Sequence, residues 1–81
     1  MSVMIEVYYR LPRDSSKEGH LTQQVVALGG RLEHAEEIEL DGVCSNVCLT
    51  YEFNEWKHTE VAAEYLRQNG GHVEGPQEYG T

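Results

Sequence analysis

The sequence has few basic residues and few cysteines, and it contains no long apolar run. Six Lys and Arg stand against 14 Asp and Glu among 81 residues, which gives a formal net charge of −8. Nucleic acids and anionic membranes are bound by basic surfaces, so this balance argues against both as partners. No apolar stretch approaches the roughly 20 residues that cross a bilayer. The first ten residues lack the basic segment and apolar stretch of a secretory signal peptide, so we expect a cytoplasmic protein.

Two cysteines are too few for a disulfide scaffold. On a regular strand the Cα atoms of Cys44 and Cys48 would lie about 13 Å apart, which is too far for a disulfide. The pair becomes chemically useful only if a turn or bulge forms at Ser45–Asn46. We therefore expect no cofactor and no metal. If a metal is bound after all, its ligands would be Cys44 and Cys48 with His34 or His72.

Catalytic motifs are also absent from the sequence. It has no phosphate-binding loop, no zinc-protease helix and no serine-hydrolase elbow. The spacing of the residues does not show that two carboxylates, or a Ser, a His and an Asp, lie close enough together to act as a catalytic set. We therefore predict no catalysis and assign no catalytic residue.

Hydrophobic periodicity predicts six elements of secondary structure. They are a strand at 3–11, a helix at 15–28, strands at 31–40 and 43–53, a helix at 55–68 and a strand at 72–74. Asp41-Gly42 between the two middle strands is a strong hairpin signal, because a type I′ turn needs positive φ at both central residues. Gly29-Gly30 and Gly70-Gly71 end the two helices.

This order of elements is that of the split βαβ, or ferredoxin-like, α+β sandwich. We expect a four-stranded antiparallel sheet with both helices on one face and the other face open. The chain forms a single domain over 1–81, with an ordered core at about 2–75 and a flexible tail at 76–81. A domain of this size buries only about 60% of its unfolded surface, so its core is small.

A two-residue hairpin loop would set the register of the middle strands. The predicted pairs are Leu40 with Val43, Ile38 with Ser45, and Ala35 with Cys48. Glu36 would then lie opposite the apolar Val47, which is unfavourable, so we expect a bulge or a longer loop near Ala35 to Glu37.

The open face of the predicted sheet is a candidate interface. Five of its residues are assigned to that interface: Met4, Glu6, Tyr8, Cys48 and Thr50. In this register the open face also carries Arg10, Glu33, Glu37, Glu39 and Cys44. Seven of the 14 acids lie between Leu32 and Trp56, where there is no Lys or Arg. This acidic segment is either a strand face exposed to solvent or a surface whose charge selects basic or neutral partners. We expect the open face to support a homodimer.

Three stretches of the sequence match the pattern of a known domain type. They are Tyr9–Pro12, the segment 38–42 with 47–53, and the segment 62–70 with 72–74. Through them, residues 7–74 resemble the small ACT-like regulatory domains, in particular the NIL type found with methionine transporters and some iron–sulfur proteins. Where that type carries Asn-Ile-Leu, this sequence has Leu32-Glu33-His34 nearby.

The resemblance implies a dimeric domain that senses a small molecule. The ligand would lie near the loop from Leu11 to Ser15 or at the dimer contact, with Arg13, Asp14 and Ser15 as its binding residues. Amides at the start of the first helix could receive a carboxylate there, because a helix N-terminus favours anions.

Four functions stay open on the sequence alone. The first is a cytoplasmic ligand-binding or regulatory module that acts as a homodimer. The second is a subunit that binds a protein partner through the acidic open face. The third is a metal- or redox-responsive protein that uses Cys44 and Cys48. The fourth is a small enzyme of the dimeric α+β barrel kind.

Overall fold

Six elements follow one another in the order that the sequence predicts. The computed structural model describes residues 2–40, 42–69 and 71–79. The elements are β1 (Ser2–Arg10), α1 (Ser15–Ala27), β2 (Arg31–Leu40), β3 (Val43–Phe53), α2 (Trp56–Asn69) and β4 (His72–Tyr79). The strands form one sheet in the order β2-β3-β1-β4, and each neighbouring pair is antiparallel. The predicted ferredoxin-like α+β fold is confirmed.

The core lies between the helices and one face of the sheet. Strand β1 alternates strictly, and its four buried side chains are Val3, Ile5, Val7 and Tyr9. Strand β3 contributes the same face, with Val47, Leu49, Tyr51 and Phe53 buried. The helices complete the core with Leu21, Val25, Ala62, Ala63 and Leu66. Each large apolar side chain buried in this way contributes about 1.5–3 kcal/mol of transfer free energy, which offsets the conformational entropy lost on folding.

Helix α1 is capped by Asp14. Its side chain accepts a hydrogen bond from the backbone N–H of Lys17 at 3.0 Å. Ser15 and Glu18 have the spacing of a capping box, but Ser15 is already the first helical residue and the cap is one residue earlier. Glu18 is therefore available to bond elsewhere, and its carboxylate bonds Arg13 and Tyr9.

In the hairpin between β2 and β3, the strand pairing at the turn matches the prediction, and the pairing register farther from the turn is shifted. The observed pairs are Leu40 with Val43, Ile38 with Asn46, and Ala35 with Leu49. The first pair is confirmed, and the other two predicted partners were wrong by one residue. The shift arises between Ile38 and Glu39, with a second between Leu32 and His34, rather than within 35–37. A bulge takes up one extra residue, so the pairings from Ile38 to His34 are displaced, and the second shift restores the original register at Leu32–Tyr51 and Arg31–Glu52.

The shift changes which β2 residues share a face with β3. Glu36 pairs with Cys48, and Glu37 pairs with Val47. Because side chains alternate along a strand, a displacement of one residue moves a side chain to the other face. The open face therefore carries Glu36 where the sequence predicted Glu37.

Strand β4 is longer than predicted. It runs through Tyr79, which pairs with Ser2 at the start of β1. The expectation of a flexible tail from residue 76 was wrong for 76–79, and Gly80 and Thr81 lie outside the described residues. Gly75-Pro76 is typical of a strand end, but here Gly75 adopts a φ of +99° at a shift in register and the strand continues.

Neither described helix has the length and apolar character needed to cross a membrane.

Candidate functional site

A cavity that is largely open to solvent lies where β1 ends and β4 begins. Its volume is about 680 Å³, within the range of small-molecule sites. The lining residues are Tyr8, Tyr9, Arg10, Lys17, Asn46, Gly71, His72 and Glu74. They come together because β1 lies between β3 and β4 in the sheet. Arg10 pairs with Asn46 on one side, and Tyr8 pairs with His72 on the other.

Tyr9 forms a fixed wall of this cavity. Its hydroxyl is bonded to the carboxylate of Glu18 and accepts the backbone N–H of Asp14 at 3.1 Å. The ammonium of Lys17 lies 4.8 Å from the centroid of the Tyr9 ring, a cation–π contact. Burial, together with the bond to Glu18, raises the pKa of Tyr9 above its ordinary value. The hydroxyl therefore stays protonated and holds the loop before α1 against the sheet.

Tyr8 and His72 line the cavity from the open face of the sheet. Their ring centroids are 6.0 Å apart, and the rings are tilted by 44°. Burial raises the pKa of Tyr8 well above its usual range, and the neighbouring Cys48 and Glu6 raise it further. The Nε2 atom of His72 lies 2.8 Å from Oε1 of Glu74. The cavity thus presents two aromatic surfaces.

Gly71 makes the close approach of β4 to β1 feasible at the cavity. Its φ is +127°, and a Cβ placed there would lie 2.5 Å from the carbonyl oxygen of Tyr8. A side chain at this position would therefore clash with the backbone of β1. The sequence reveals Gly71 only as the end of a helix, and its second role depends on the strand beside it.

The three predicted ligand-binding residues line a second concavity. Arg13, Asp14 and Ser15 border a space of about 460 Å³. Nη2 of Arg13 lies 2.7 Å from Oε1 of Glu18, and the Asp14 carboxylate already accepts an amide of the first helical turn. Side chains of this chain therefore occupy much of the anion-binding capacity of that turn. Ligand binding by these three residues stays a prediction.

The two concavities are neighbours. Tyr9, Arg10 and Lys17 line both of them. The residues that the sequence proposed for ligand binding therefore lie next to this cavity, and Lys17 and Asn46 were not among them. The alternation in β1 placed Arg10 and Tyr8 on one face, and that was the available signal.

The five predicted interface residues lie on one face of the sheet. The pairs Tyr8–Cys48, Glu6–Thr50 and Met4–Glu52 show this directly. Cys48 is only 2% exposed although it lies on the face away from the helices. Its Sγ is 3.8 Å from Oε2 of Glu6 and 4.0 Å from Oγ1 of Thr50. Burial raises the pKa of this thiol, so Cys48 is a poor nucleophile. Whether a second copy covers this face stays a prediction.

The conditional metal ligands do not converge in the described part of the chain. No group of three or more His, Cys, Asp and Glu residues there is arranged to hold a metal. Cys48 and His72 pair with Tyr8 from opposite sides, so two strand spacings, about 9.5 Å, separate them. A register shift falls between Cys44 and Cys48, but the Cys44 side chain lies outside the described residues.

Comparison with known proteins supports the fold and goes no further. No family model and no curated protein matches the chain. One similar solved structure is LarC2, the C-terminal domain of a cyclometallase involved in the synthesis of the NPN cofactor of lactate racemase, in its apo form. The TM-score is 0.69 at 16% sequence identity, over 90% of this chain. The chain spans about half of the LarC2 chain, 51%. The likeness establishes a shared α+β fold.

Proposed function

We propose that this chain is a cytoplasmic ligand-binding module of the ACT-like regulatory kind, that it works as a homodimer, and that the cavity between Arg10 and His72 holds the ligand. The observation that carries the proposal is the cavity itself. Residues from β1, β3, α1 and β4 converge on about 680 Å³, and they offer hydrogen-bonding groups beside aromatic surfaces. A few polar groups in a partly apolar cavity are typical of small-molecule sites.

The position of the cavity also supports a regulatory role. It shares Tyr9, Arg10 and Lys17 with the concavity at the loop before α1, and the resemblance to ACT-like domains implies a ligand near that loop. Tyr9 connects this loop to β1 through its bonds to Glu18 and to the amide of Asp14. Tyr8 and Tyr9 lie on opposite faces of the sheet. A ligand that contacts both side chains would therefore touch both faces at the end of β1.

A second copy of the chain is the proposed partner of the open face. Met4, Tyr8 and Thr50 are half-buried within a single chain, so a modest additional surface would complete their burial. The helices cover one sheet face alone, and small domains often gain stability by association. Sedimentation equilibrium would test this part of the proposal. A dimer that Met4→Glu dissociates supports it, whereas a monomer at all concentrations contradicts it and favours the protein-partner alternative.

Nuclear magnetic resonance would test the ligand-binding part of the proposal. The ¹⁵N-labelled protein is titrated with amino acids and other small metabolites, both charged and neutral. We expect at least one compound to shift the amide signals of Tyr8, Arg10 and His72 while those of α2 residues 56–60 stay in place. A complete lack of binding would overturn the proposal, as would binding confined to another surface.

Two histidine variants provide a matched control for the same titration. His72→Ala removes a lining residue of the cavity. His58→Ala removes an exposed histidine in α2 that lies beside Gly29. We expect His72→Ala to weaken binding and His58→Ala to leave it unchanged. Equal effects of the two variants would count against the cavity as the site.

A further inference from the structure

We propose that the ligand of this cavity is an anion, and that Arg10 and Lys17 together hold its carboxylate or phosphate group. This inference rests on the proposed ligand-binding function and deepens it. It assigns a charge to the ligand, which the volume of the cavity does not.

Ion pairs are unevenly distributed among the basic side chains of the chain. The chain has 6 Lys and Arg against 14 Asp and Glu, so a carboxylate partner is abundant for every cation. Three of the six basic side chains do pair: Arg13 with Glu18, Arg31 with Glu33 and Glu52, and Arg67 with Glu64. Over the described residues, the ion pairs include neither Arg10 nor Lys17 nor Lys57. Two of these three cations line the same cavity.

The two cations reach the cavity from different elements. Arg10 is the last residue of β1, and Lys17 lies in the first turn of α1. Lys17 is half-buried and lies over the Tyr9 ring at 4.8 Å, so its ammonium is restrained at the wall. A guanidinium presents a planar fork that matches a carboxylate or a phosphate, and an ammonium adds a point charge. Both residues line the cavity, so an oxyanion held there would have one cation available from β1 and one from α1.

The other lining groups are consistent with an anion. Asn46 pairs with Arg10 across the sheet and also lines the cavity, and its side-chain nitrogen donates to Oγ of Ser45 at 3.3 Å. Glu74 is the sole carboxylate among the lining residues, and His72 already bonds it at 2.8 Å. Two cations therefore face one partly engaged carboxylate, in a chain whose overall charge is −8. The cavity is a local exception to the acidity of the molecule.

The aromatic rings define the rest of the ligand. Tyr8 and His72 are positioned to contact a carbon skeleton next to the anionic group. The ligand class is therefore a small organic acid or a phosphate ester with an apolar or aromatic body. Whether the oxyanion is a carboxylate or a phosphate is decided by the experiment.

Titrations with matched pairs of compounds would test the charge of the ligand. Benzoate is compared with benzamide, citrate with its trimethyl ester, and phenyl phosphate with phenol, with amide shifts as the readout. We expect only the anionic member of a pair to shift the cavity signals. A carboxylate that binds while phenyl phosphate does not assigns the carboxylate class, and the reverse result assigns the phosphate class.

Three variants make the test specific for the two cations. Arg10→Ala and Lys17→Ala each remove one charge from the cavity. Lys57→Ala removes one charge from the first turn of α2. This turn follows the end of β3 that pairs with Val3, so Lys57 lies far from Arg10, which is at the other end of β1. Loss of a hydrogen bond to a charged group should weaken binding about tenfold or more in the first two variants, and Lys57→Ala should leave it unchanged. Arg10→Lys keeps the charge and should recover part of the affinity.

The outcomes separate this inference from the function on which it rests. If neutral and anionic members of each pair bind the cavity equally, the anion inference fails and the ligand-binding function stands. If Lys57→Ala weakens binding as much as Lys17→Ala, the effect is one of net charge and the assignment to the cavity fails. If none of these probes and no metabolite binds, both proposals fail together.

Discussion

Tyr8 and Tyr9 are neighbours in β1, yet the sheet places them in opposite environments. The ring of Tyr9 is 8% exposed, and its hydroxyl is fixed by Glu18 and by the amide of Asp14. The ring of Tyr8 is half-buried on the open face, tilted against His72. Alternation along a strand is sufficient to separate them. The same side chain therefore secures the fold in one position and borders an open surface in the other.

The difference between the two tyrosines extends to the two faces of the sheet. On the face covered by helices, the residues of β1 and β3 that point inward form an unbroken buried set, and none of them is more than 8% exposed. On the open face, the same strands present Glu6, Thr50 and Tyr8 at intermediate exposure. Folding energy is therefore concentrated on the covered face. The open face can change its residues at low cost in stability, and this is where binding functions can develop.

The largest expected difference in stability is between substitutions at Leu49 and Thr50, which are neighbours in β3 on opposite faces of the sheet. Leu49→Ala opens a cavity in the covered face and should lower the free energy of unfolding by about 2–5 kcal/mol. Thr50→Ala, on the open face, should cost less than about 1 kcal/mol. Urea unfolding followed by circular dichroism measures both values. Similar costs for the two variants would show that the open face is also buried in solution, as in a tight dimer.

The two tyrosines themselves give the next comparison. Tyr9→Phe removes the acceptor for the Asp14 amide and the partner of Glu18. It should destabilise the fold by about 1–3 kcal/mol, because a part-buried polar group loses its partner. Tyr8→Phe should have a smaller effect, because the Tyr8 hydroxyl interacts with the side chains of Cys48 and Glu6. The midpoint of thermal unfolding reports both changes. A larger loss for Tyr8→Phe would contradict the division of roles.

The smallest expected effect is on the pH dependence of the stability of the fold, through Glu18. The hydrogen bonds from Arg13 hold the pKa of Glu18 below its ordinary value of 4.5, with a further contribution from Tyr9. A carboxyl whose pKa is lower in the folded state stabilises the fold fully above its unfolded pKa. That contribution is lost as the pH falls through the folded pKa. Because the Arg13–Glu18 pair is partly exposed, the contribution should be about 1 kcal/mol or less.

Glu18→Gln is the variant that checks this pH dependence. It should reduce the loss of stability between about pH 5 and pH 2, measured as the change in unfolding free energy with pH. Glu64→Gln is the control, since its partner Arg67 lies on the exposed surface of α2. A wild-type slope that Glu18→Gln leaves unchanged would show that another carboxyl carries the effect.

The order and type of the elements could be predicted because the signals are local. Strict alternation in β1, helical spacing around Leu21 and Val25, and the Gly-Gly stops each depend on a few adjacent residues. The register could not be predicted, because the bulges in β2 and β3 respond to packing across strands. The length of β4 was missed for a similar reason: pairing with Ser2 outweighs the tendency of Gly75-Pro76 to end a strand.

The cavity depends on the same long-range information. Arg10 was placed on the open face by alternation, but the sequence does not bring it to Asn46 or to Lys17. Arg13 was an attractive candidate because it lies in the loop before α1, and its pairing with Glu18 became visible only in the folded chain. A lone cation in a sequence can be paired or free, and the structure distinguishes the two states.

The edges of the sheet determine how copies of this chain can meet. Strand β2 is one edge, and its glutamates are Glu33, Glu36, Glu37 and Glu39. Antiparallel pairing of two such edges would bring carboxylates of both copies into opposition, which is unfavourable. Strand β4 is the other edge, and Pro76 has no N–H to donate to an added strand. The glutamates of β2 and Pro76 of β4 thus disfavour fibre-like growth by edge pairing, which leaves the sheet face for the proposed dimer.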